Sequence, residues 1–427
     1  MLSWDSSSSI ARMQRERAWV EVDEGAIAHN VQQIRRILQP KTDLMTVVKA
    51  DAYGHGSVNV ARTALQAGAT WLGVATIPEG IELREAGIEA PILILGATHL
   101  PEQIRTLLRW RLQPTLCTPK QTMVFAETMA ECKSDADWAV GDWAVGDRAG
   151  GEWERDRPIL PVHLKLDTGM TRLGTSWEQG EDFIKLVQRL PNLALASIYS
   201  HFATADELDQ TTLRSQQQRF ESVLRSVGLL TPQARQTRGP KLHFANSAAT
   251  LTDRNLHYDL VRTGLITYGI YPAEHLRHCL SLQPAMQVKA RVTQVKTIAA
   301  GTGVSYGHRF VSDREMQVAV IGIGYADGVP RNLSNQMEVL IRGQRVRQIG
   351  AITMDQIMLD VSAIDHLQEG EVVTVLGKSG DQQITADDWA QQLGTISWEI
   401  LCGFKHRLPR VMVRRSLVKE PISSQMQ

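Results

Sequence analysis

The alternation of short apolar runs with amphipathic stretches is the feature that most constrains the fold of this chain. From residue 43 onward, apolar runs are followed by stretches whose apolar residues recur at i, i+3 and i+4, as at Ile104, Leu107 and Leu108. This pattern is typical of parallel strands connected by crossover helices. The strand candidates cover residues 43–48, 71–77, 91–96, 112–117, 159–166, 193–202, 241–246 and 260–269. These units predict a closed (β/α)8 barrel, an α/β fold, preceded by a helix that begins near Asp23.

The pattern changes after residue 282. Alternating apolar and polar positions with many β-branched side chains then indicate strands at residues 286–298, 316–326 and 371–377, with one helix at 387–394. A chain of 427 residues also exceeds the size of most single cores. We therefore predict a disordered tail at 1–17, a barrel at 18–282 and a mainly β C-terminal domain at 283–427.

Residues 133–158 interrupt the barrel pattern with a stretch rich in Gly, Asp and Arg, in which WAVGD occurs twice. Loops tolerate insertions of this kind, so we predict a surface insertion in the barrel. Two interpretations stay open for it. The segment is either a loop without a selected role or a contact patch formed by its three tryptophans.

Composition excludes several classes of partner. Lys plus Arg and Asp plus Glu each number 46, and no basic run could follow a phosphate backbone, so nucleic acid is not expected. Neither an apolar stretch of about 18 residues nor the apolar core of a secretory signal is present, so we expect no membrane span and a cytoplasmic protein. The four cysteines are scattered without CxxC spacing, which predicts thiols, no disulfide and no metal site.

A lysine at the end of a predicted strand is the first candidate for chemistry. In VVKADAYGHG (47–56), Lys49 follows the strand and precedes a turn that contains Tyr53 and two glycines. Catalytic residues of barrels collect at the C-terminal ends of the strands. An unprotonated lysine there can form a Schiff base, although a lysine after a strand is by itself more often a solvated charge.

Seven further segments lie in or directly after predicted strands, or in the β-rich half, and carry candidate polar residues. They are HLKLDTGMTRLG (163–174), SHFATADE (200–207), HFANSAAT (243–250), LVRTGLITYGIYP (260–272), GTGVSYGHRF (301–310), GIGYADGVPR (322–331) and GAITMDQIMLDVS (350–362). Together with the lysine motif, they resemble in order the motifs of alanine racemases over residues 18–415. The resemblance implies a pyridoxal-phosphate barrel joined to a β domain, assembled as a head-to-tail homodimer with composite active sites.

The resemblance also implies a cofactor and the residues that hold it. Lys49 would carry pyridoxal 5'-phosphate as a Schiff base, with Tyr53 beside it. The phosphate would lie at the start of a helical turn among Asn246, Ser247, Gly264 and Leu265. Arg262 would contact the pyridine nitrogen. Because a guanidinium has a fixed charge and no acceptor, it would keep that nitrogen unprotonated, which makes the cofactor a weaker electron sink and limits side reactions.

The reacting groups follow from the same resemblance. Lys49 and Tyr306 would be the two bases, one on each face of a planar carbanion, with Tyr306 supplied by the partner subunit. A tyrosine hydroxyl needs help to act as a base near neutral pH. A relay from Tyr306 through His201 to Arg262 would place fixed positive charge nearby, and Asp355 would lie close to Tyr306.

Arg172 and the backbone N–H of Met354 would bind the substrate carboxylate, since a planar guanidinium can bind a carboxylate bidentately. Lys165 would be carbamylated to hold Arg172, or it would remain an unmodified lysine on the barrel rim. Both alternatives stay open. Tyr325 and Arg331 would line the entrance, where a bulky tyrosine favours substrates with small side chains.

Three positions depart from the family pattern. Asp51 stands where Asn is usual, Thr171 stands where most members have glycine, and His406 lies where some members have a cofactor-contacting tyrosine. The implied function is the interconversion of L-alanine and D-alanine, which supplies D-alanine for peptidoglycan. Two alternatives remain: a racemase of broader specificity that acts on serine, and a non-catalytic pyridoxal-phosphate-binding protein. The β domain and Tyr306 argue against the second.

Overall fold

The computed structural model describes residues 15–132, 158–231, 239–404 and 406–414. Contacts between Cα atoms divide the chain into two compact units. The barrel unit consists of Ala28–Ala50 and Val60–Leu282, and the β unit consists of Asp51–Asn59, the described residues up to Ile27 and those from Gln283 onward. Residues 133–157 of the predicted insertion and 1–14 of the predicted tail lie outside the described residues.

The first strand lies in the unit opposite to the one predicted for it. Strand β1 (Ala18–Asp23) pairs antiparallel with residues 286–290 and parallel with residues 410–413. Residues 18–27 therefore belong to the β unit, although they were predicted to lie in the barrel. Five of the six residues of β1 are buried, so the strand needs cover on both faces, and its partners are far away in the sequence.

The barrel unit contains all eight predicted strands. They are β2 (Asp43–Val47), β3 (Trp71–Val74), β4 (Ile92–Ala97), β5 (Gln113–Leu116), β6 (Leu160–Asp167), with the short β7 (Thr175–Ser176) beside it, β8 (Leu193–Tyr199), β9 (Lys241–His243) and β10 (Leu260–Thr263). Neighbours are parallel in the order β10-β2-β3-β4-β5-β6-β8-β9. Backbone bonds from Asp259 N to Leu242 O (2.9 Å) and from Arg262 N to Ala245 O (3.0 Å) join the two ends. The (β/α)8 prediction is confirmed.

Helices alternate with these strands along the chain. They are α1 (Glu24–Ile37), α2 (Ser57–Gln66), α3 (Ile77–Glu85), α4 (Pro101–Arg109), α5 (Pro119–Glu131), α6 (Gly180–Arg189), α7 (Thr211–Ser226) and α8 (Ser247–Thr252). Each longer helix turns an apolar stripe inward, as α6 does with Phe183, Ile184 and Val187. Because neighbouring strands are parallel, their C-terminal ends lie at one rim of the barrel.

The β unit is a nine-stranded sheet with a small hairpin. Its strands after β10 are β11 (Met286–Ile298), β12 (Gly303–Val304), β13 (Phe310–Val311), β14 (Met316–Ile321), β15 (Glu338–Ile341), β16 (Gln344–Ile349), β17 (Ile357–Asp360), β18 (Val372–Ser379), β19 (Gln382–Ile384) and β20 (Arg410–Val413). The order is β19-β18-β15-β16-β17-β14-β11-β1-β20, and β12 pairs with β13. The predicted helix is α9 (Ala386–Leu393), followed by α10 (Ser397–Gly403). The mainly β prediction is confirmed.

Within the described ranges, no helix has both the length and the apolar character needed to cross a bilayer. The same residues contain no group of three or more His, Cys, Asp or Glu side chains that could hold a metal ion. None of the four cysteines, all of which are described, forms a disulfide.

Candidate active site

Lys49 lies just beyond the C-terminal end of β2, and its side chain is half-buried. The backbone N–H of the following residue, Ala50, donates to Glu79 Oε1 (2.8 Å). Glu79 Oε2 accepts the N–H groups of Ala75 (2.7 Å) and Thr76 (3.0 Å), just after β3. One carboxylate therefore ties the ends of two barrel strands together and fixes the backbone that carries Lys49.

The chain after Lys49 turns in the left-handed sense. Residues 50–53 have φ between 52° and 55°, and Gly54 follows at 83°. Each left-handed residue with a side chain costs roughly 1–2 kcal/mol, so specific bonds must hold the turn. Asp51 Oδ1 accepts the N–H of Ser57 (2.8 Å). An asparagine has an equivalent oxygen, which explains how Asp51 can replace the usual Asn.

Arg262 is buried at β10, where its side chain makes four hydrogen bonds. Nη1 donates to His243 Nδ1 (2.7 Å). Nη2 faces the carbonyl oxygens of Ser200 (2.7 Å) and Phe244 (3.1 Å) and the Nδ1 atom of His201 (3.2 Å). Burial lowers the pKa of Arg262 to about 10, so the guanidinium remains charged at neutral pH.

Positive charge surrounds His201. Burial lowers the pKa of His201 well below its usual range, and four neighbouring cations lower it further: Arg262, Lys165, Arg172 and Lys49. The imidazole is therefore neutral at physiological pH. Because its Nδ1 accepts from Arg262, its proton is on Nε2.

Lys165 is buried within this cationic cluster, whereas Arg172 is exposed. Burial lowers the pKa of Lys165 to about 8, and Arg262 and Arg172 contribute further lowering. Its Nζ lies 5.5 Å from the centroid of the Tyr199 ring. A substantial fraction of this lysine is therefore an uncharged amine at mildly alkaline pH.

Asn246, Ser247 and Gly264 lie together beyond the ends of β9 and β10. The N–H of Gly264 donates to Oγ of the buried Ser247 (3.0 Å), so the hydroxyl hydrogen of Ser247 is available to another acceptor. Asn246 Oδ1 accepts the N–H of Ala249 in the first turn of α8 (3.0 Å). Leu265 begins the 3-10 turn Leu265–Tyr268.

Tyr306 lies in the β unit, at the tip of the hairpin formed by β12 and β13. Its side chain is 74% exposed. The preceding Ser305 has φ 62° and ψ −171°, a conformation that is almost confined to glycine. Ser305 Oγ donates to Ala351 O (2.7 Å), and this bond helps to hold the strained residue.

Tyr325 and Met354 lie on two β-unit loops that are bonded to each other. Tyr325 N donates to Thr353 O (3.0 Å), and Ala326 N donates to Met354 O (3.0 Å). A Cβ atom at Gly324 would lie 2.3 Å from Thr353 O, so the close approach of the loops requires glycine. Tyr325 is 40% exposed and Met354 is 52% exposed.

Asp355 follows Met354, and its carboxylate accepts a hydrogen bond from Arg407 Nη2 (2.7 Å). Its predicted proximity to Tyr306 stays a prediction. Another predicted residue, Tyr53, lies in the left-handed turn, where burial raises the pKa of its hydroxyl to about 12. Tyr53 is therefore a neutral hydrogen-bonding group at physiological pH.

The structure brings five of the predicted residues together in the barrel unit: Lys49, Lys165, Arg172, His201 and Arg262. Glu79 and His243 were not among the residues predicted from the sequence. The spacing of Thr76 and Glu79 is that of a helix capping box, which was a usable signal. His243 opens the segment that contains Asn246, but its bond to Arg262 depends on strand register.

Both units of the chain match models of known protein families. Residues 22–272 match the family model "Alanine racemase, N-terminal domain", and residues 285–412 match "Alanine racemase, C-terminal domain". The chain belongs to the alanine racemase family. Members of this family are isomerases, and the chain is an enzyme of this class that acts on alanine; the family also implies pyridoxal phosphate as the cofactor.

Similar proteins cover nearly the whole chain. An alanine racemase from Nostoc sp. is 60% identical over 93% of this chain and 96% of its own length. One from Synechocystis sp. is 59% identical over 94% of this chain and its full length. The crystal structure of alanine racemase from E. faecalis has a TM-score of 0.80 at 32% identity, covering 93% of this chain and 98% of that one. The Bacillus anthracis alanine racemase with bound L-Ala-P has a TM-score of 0.79 at 33% identity, covering 93% and 95%.

Proposed function

We propose that this chain racemises alanine with two bases, Lys49 on one face of the substrate and Tyr306 of a second copy on the other. The cluster of cations around a neutral His201 is the observation that carries the proposal. Such a cluster suits anionic ligands, and its buried member Arg262 makes an arginine, not a carboxylate, available to the cofactor ring.

The residues of the barrel unit fit pyridoxal 5'-phosphate by charge and hydrogen bonding. Lys49 would hold the cofactor. Arg262 would face the ring nitrogen of the cofactor, to which a guanidinium can only donate a hydrogen bond. Its phosphate would lie among Asn246, Ser247, Gly264 and Leu265. When bound, the cofactor withdraws electrons from the substrate Cα and makes the proton there acidic.

Inversion at Cα needs a proton to leave one face and another to arrive on the opposite face. Lys49 Nζ exchanges the proton of D-alanine, and Tyr306 Oη exchanges that of L-alanine. Neutral His201, held at Nδ1 by Arg262, offers its Nε2–H to the tyrosine oxygen and stabilises the form that has lost its proton. Arg262 supports this step through His201, because its fixed positive charge lies next to the imidazole.

Arg172 and the backbone N–H of Met354 bind the substrate carboxylate, and Tyr53 donates a hydrogen bond beside Lys49. Tyr325 narrows the entrance and favours alanine over longer side chains. Serine differs from alanine by one hydroxyl, and an apolar pocket rejects such an analogue only by roughly 100-fold. Rates with a panel of L-amino acids measure that selectivity.

The second copy enters the proposal because of Tyr306. Strained backbone such as that of Ser305 is concentrated at functional sites, and the neighbouring Tyr306 is 74% exposed and so accessible to a second molecule. We therefore expect a head-to-tail homodimer with two composite sites. We also expect a cytoplasmic location, which agrees with cysteines that form no disulfide.

Lys165 is proposed to carry a carbamate. Its neutral amine adds to carbon dioxide, forming an N–C bond and releasing one proton, which replaces a cation with an anion beside Arg172. Because the pKa of Lys165 is lowered to about 8, its neutral fraction rises with pH, from about one tenth at pH 7 to about nine tenths at pH 9. With 13C-bicarbonate, a carbamate NMR signal should grow over this range, and the resonance that comes from Lys165 should be missing from the spectrum of Lys165→Ala.

Two measurements on the purified protein test the proposal. Incubation with L-alanine and pyridoxal phosphate, followed by chiral analysis, should yield D-alanine. Borohydride reduction followed by peptide mapping should place the pyridoxyl group on Lys49. A pyridoxyl group on another lysine would refute the assignment of Lys49, and a failure to form D-alanine would refute the activity.

A further inference from the structure

A chain of buried hydrogen bonds continues from Arg262 through the interior of the barrel. His243 Nδ1 accepts from Arg262 Nη1 (2.7 Å), and the Nε2 atom of the same ring lies 2.8 Å from Ser197 Oγ. Ser197 Oγ lies 2.6 Å from His163 Nδ1, and His163 Nε2 lies 2.7 Å from Gln113 Oε1. The exposed fraction of each of His163, Ser197 and His243 is 1%.

The proton positions along this chain follow from its two ends. Arginine can only donate, so His243 Nδ1 must accept and its proton is on Nε2. His243 therefore donates to Ser197 Oγ, and the Ser197 hydroxyl donates to His163 Nδ1. His163 is left with its proton on Nε2, which it donates to the carbonyl oxygen of Gln113. Every donor in the chain then has one acceptor.

The opposite direction fails at one point. If His163 Nδ1 carried the proton, Ser197 would donate to His243 Nε2, and His243 would turn an Nδ1–H toward Arg262. Two donors would then face each other at 2.7 Å in a buried site.

A charged His243 fails for the same reason, and a charged His163 would leave the Ser197 hydroxyl hydrogen without an acceptor among these residues. Both charged forms are also disfavoured by their surroundings. Burial lowers the pKa of His163 to about 3. Burial also lowers the pKa of His243 well below its usual range, and Arg262, Lys241 and Lys165 lower it further. The Tyr199 ring stacks on His243 with centroids 4.7 Å apart, and the Trp71 ring meets His163 edge-on.

We propose that Gln113, His163 and Ser197 are positioning residues that hold His243 as the Nε2–H tautomer, so that Arg262 keeps a fixed orientation toward the cofactor ring. The inference rests on the role proposed above for Arg262. The three residues act through His243 and touch neither substrate nor cofactor. Their effect is on the rate of the proton transfers and not on substrate binding.

Neutron crystallography of the holoenzyme tests the tautomers directly. The expected result is density for hydrogen on Nε2 of both His243 and His163, with the Ser197 hydroxyl pointing to His163. Hydrogen on Nδ1 of either ring, or on both nitrogens of one ring, would overturn the proposal. This readout does not depend on racemase activity, so its failure is distinguishable from failure of the proposed function.

Ser197→Ala tests the consequence, because it interrupts the chain without adding volume. We expect kcat to fall roughly 3- to 10-fold in both directions, the effect of one hydrogen bond, with KM for alanine and bound pyridoxal phosphate unchanged. Thr263→Val is the matched control, since it removes a buried barrel hydroxyl that bonds Thr267 and lies outside the chain. Its kcat should match that of the unaltered enzyme.

Gln113→Met gives a second variant at the less buried end of the chain, in case Ser197→Ala does not fold. It keeps the length of the side chain and removes the acceptor for His163. A fall in kcat similar to that expected for Ser197→Ala supports the proposal. Unchanged kcat in the folded variants, or a fall shared equally by Thr263→Val, contradicts it.

Discussion

The barrel unit and the β unit place their candidate residues in opposite ways. In the barrel, both terminal nitrogens of the buried Arg262 are hydrogen-bonded to other barrel residues, and Lys165 is only 6% exposed. In the β unit, Tyr306 is 74% exposed and Met354 is 52% exposed. The barrel candidates are held by contacts within one unit. The β-unit candidates are exposed side chains, which suits the proposal that they act in a second copy.

The largest effect is expected when the proposed base of the β unit is removed and that of the barrel unit is kept. Tyr306→Phe removes the base proposed for one face and leaves Lys49 in place, so racemisation should fall by about 10²- to 10⁴-fold in both directions. Both directions fall together because the two rates are linked by an equilibrium constant near unity. The asymmetry lies in α-proton exchange with deuterated water. D-alanine should still exchange through Lys49, whereas L-alanine should exchange hardly at all. Mass spectrometry of each recovered enantiomer measures both rates.

Equal residual exchange from the two enantiomers would contradict the assignment of Lys49 and Tyr306 to opposite faces of the substrate. It would indicate a single mobile base, and the exposure of Tyr306 would then need another explanation.

A smaller effect concerns strain on the barrel side. Thr171 has φ 53°, where the family usually has glycine, and its N–H donates to Asp167 Oδ1 (3.0 Å). Thr171→Gly relieves the left-handed strain in the folded state, which stabilises the protein. It also adds freedom to the unfolded chain, which offsets part of this gain. The free energy of unfolding should therefore rise by about 0.5–1 kcal/mol. Urea denaturation measures the change. Thr118→Gly, at φ −146°, is the control and should give no gain.

The smallest effect is expected in the segment that interrupts the barrel pattern. Deleting residues 135–155 removes none of the candidate residues, so activity should stay within about twofold of that of the full chain. Gel filtration of the deletion protein checks the assembly state at the same time. Loss of the assembly state found for the full chain would show that the segment has a structural role.

The sequence predicted the barrel strands because each is a local apolar run with its own helix. It placed β1 wrongly because AWVEVD shows no local sign of its partners, residues 286–290 and 410–413. The site behaved in the same way. Local motifs were enough to name Lys49 and Arg262 as candidates, and their roles stay predictions. The bonds of His163 to Ser197 and of Ser197 to His243 span 34 and 46 positions and exist only through strand register.

The conformation of Ser305 was equally out of reach. A positive φ at a serine depends on the bond that holds it, here to Ala351 O, which is 46 positions away. Nothing in the string GTGVSYGHRF distinguishes this residue from an ordinary turn serine.

Complementation between two inactive variants tests the central claim that each site draws on both copies. Lys49→Ala and Tyr306→Phe are purified separately, dissociated together and allowed to reassociate. In a mixed dimer with composite sites, one site carries both substitutions and the other carries neither. Random pairing makes about half of the dimers mixed, so about one quarter of the unaltered activity should return. If each site instead uses Lys49 and Tyr306 of the same chain, no activity will return, and that result would contradict the account.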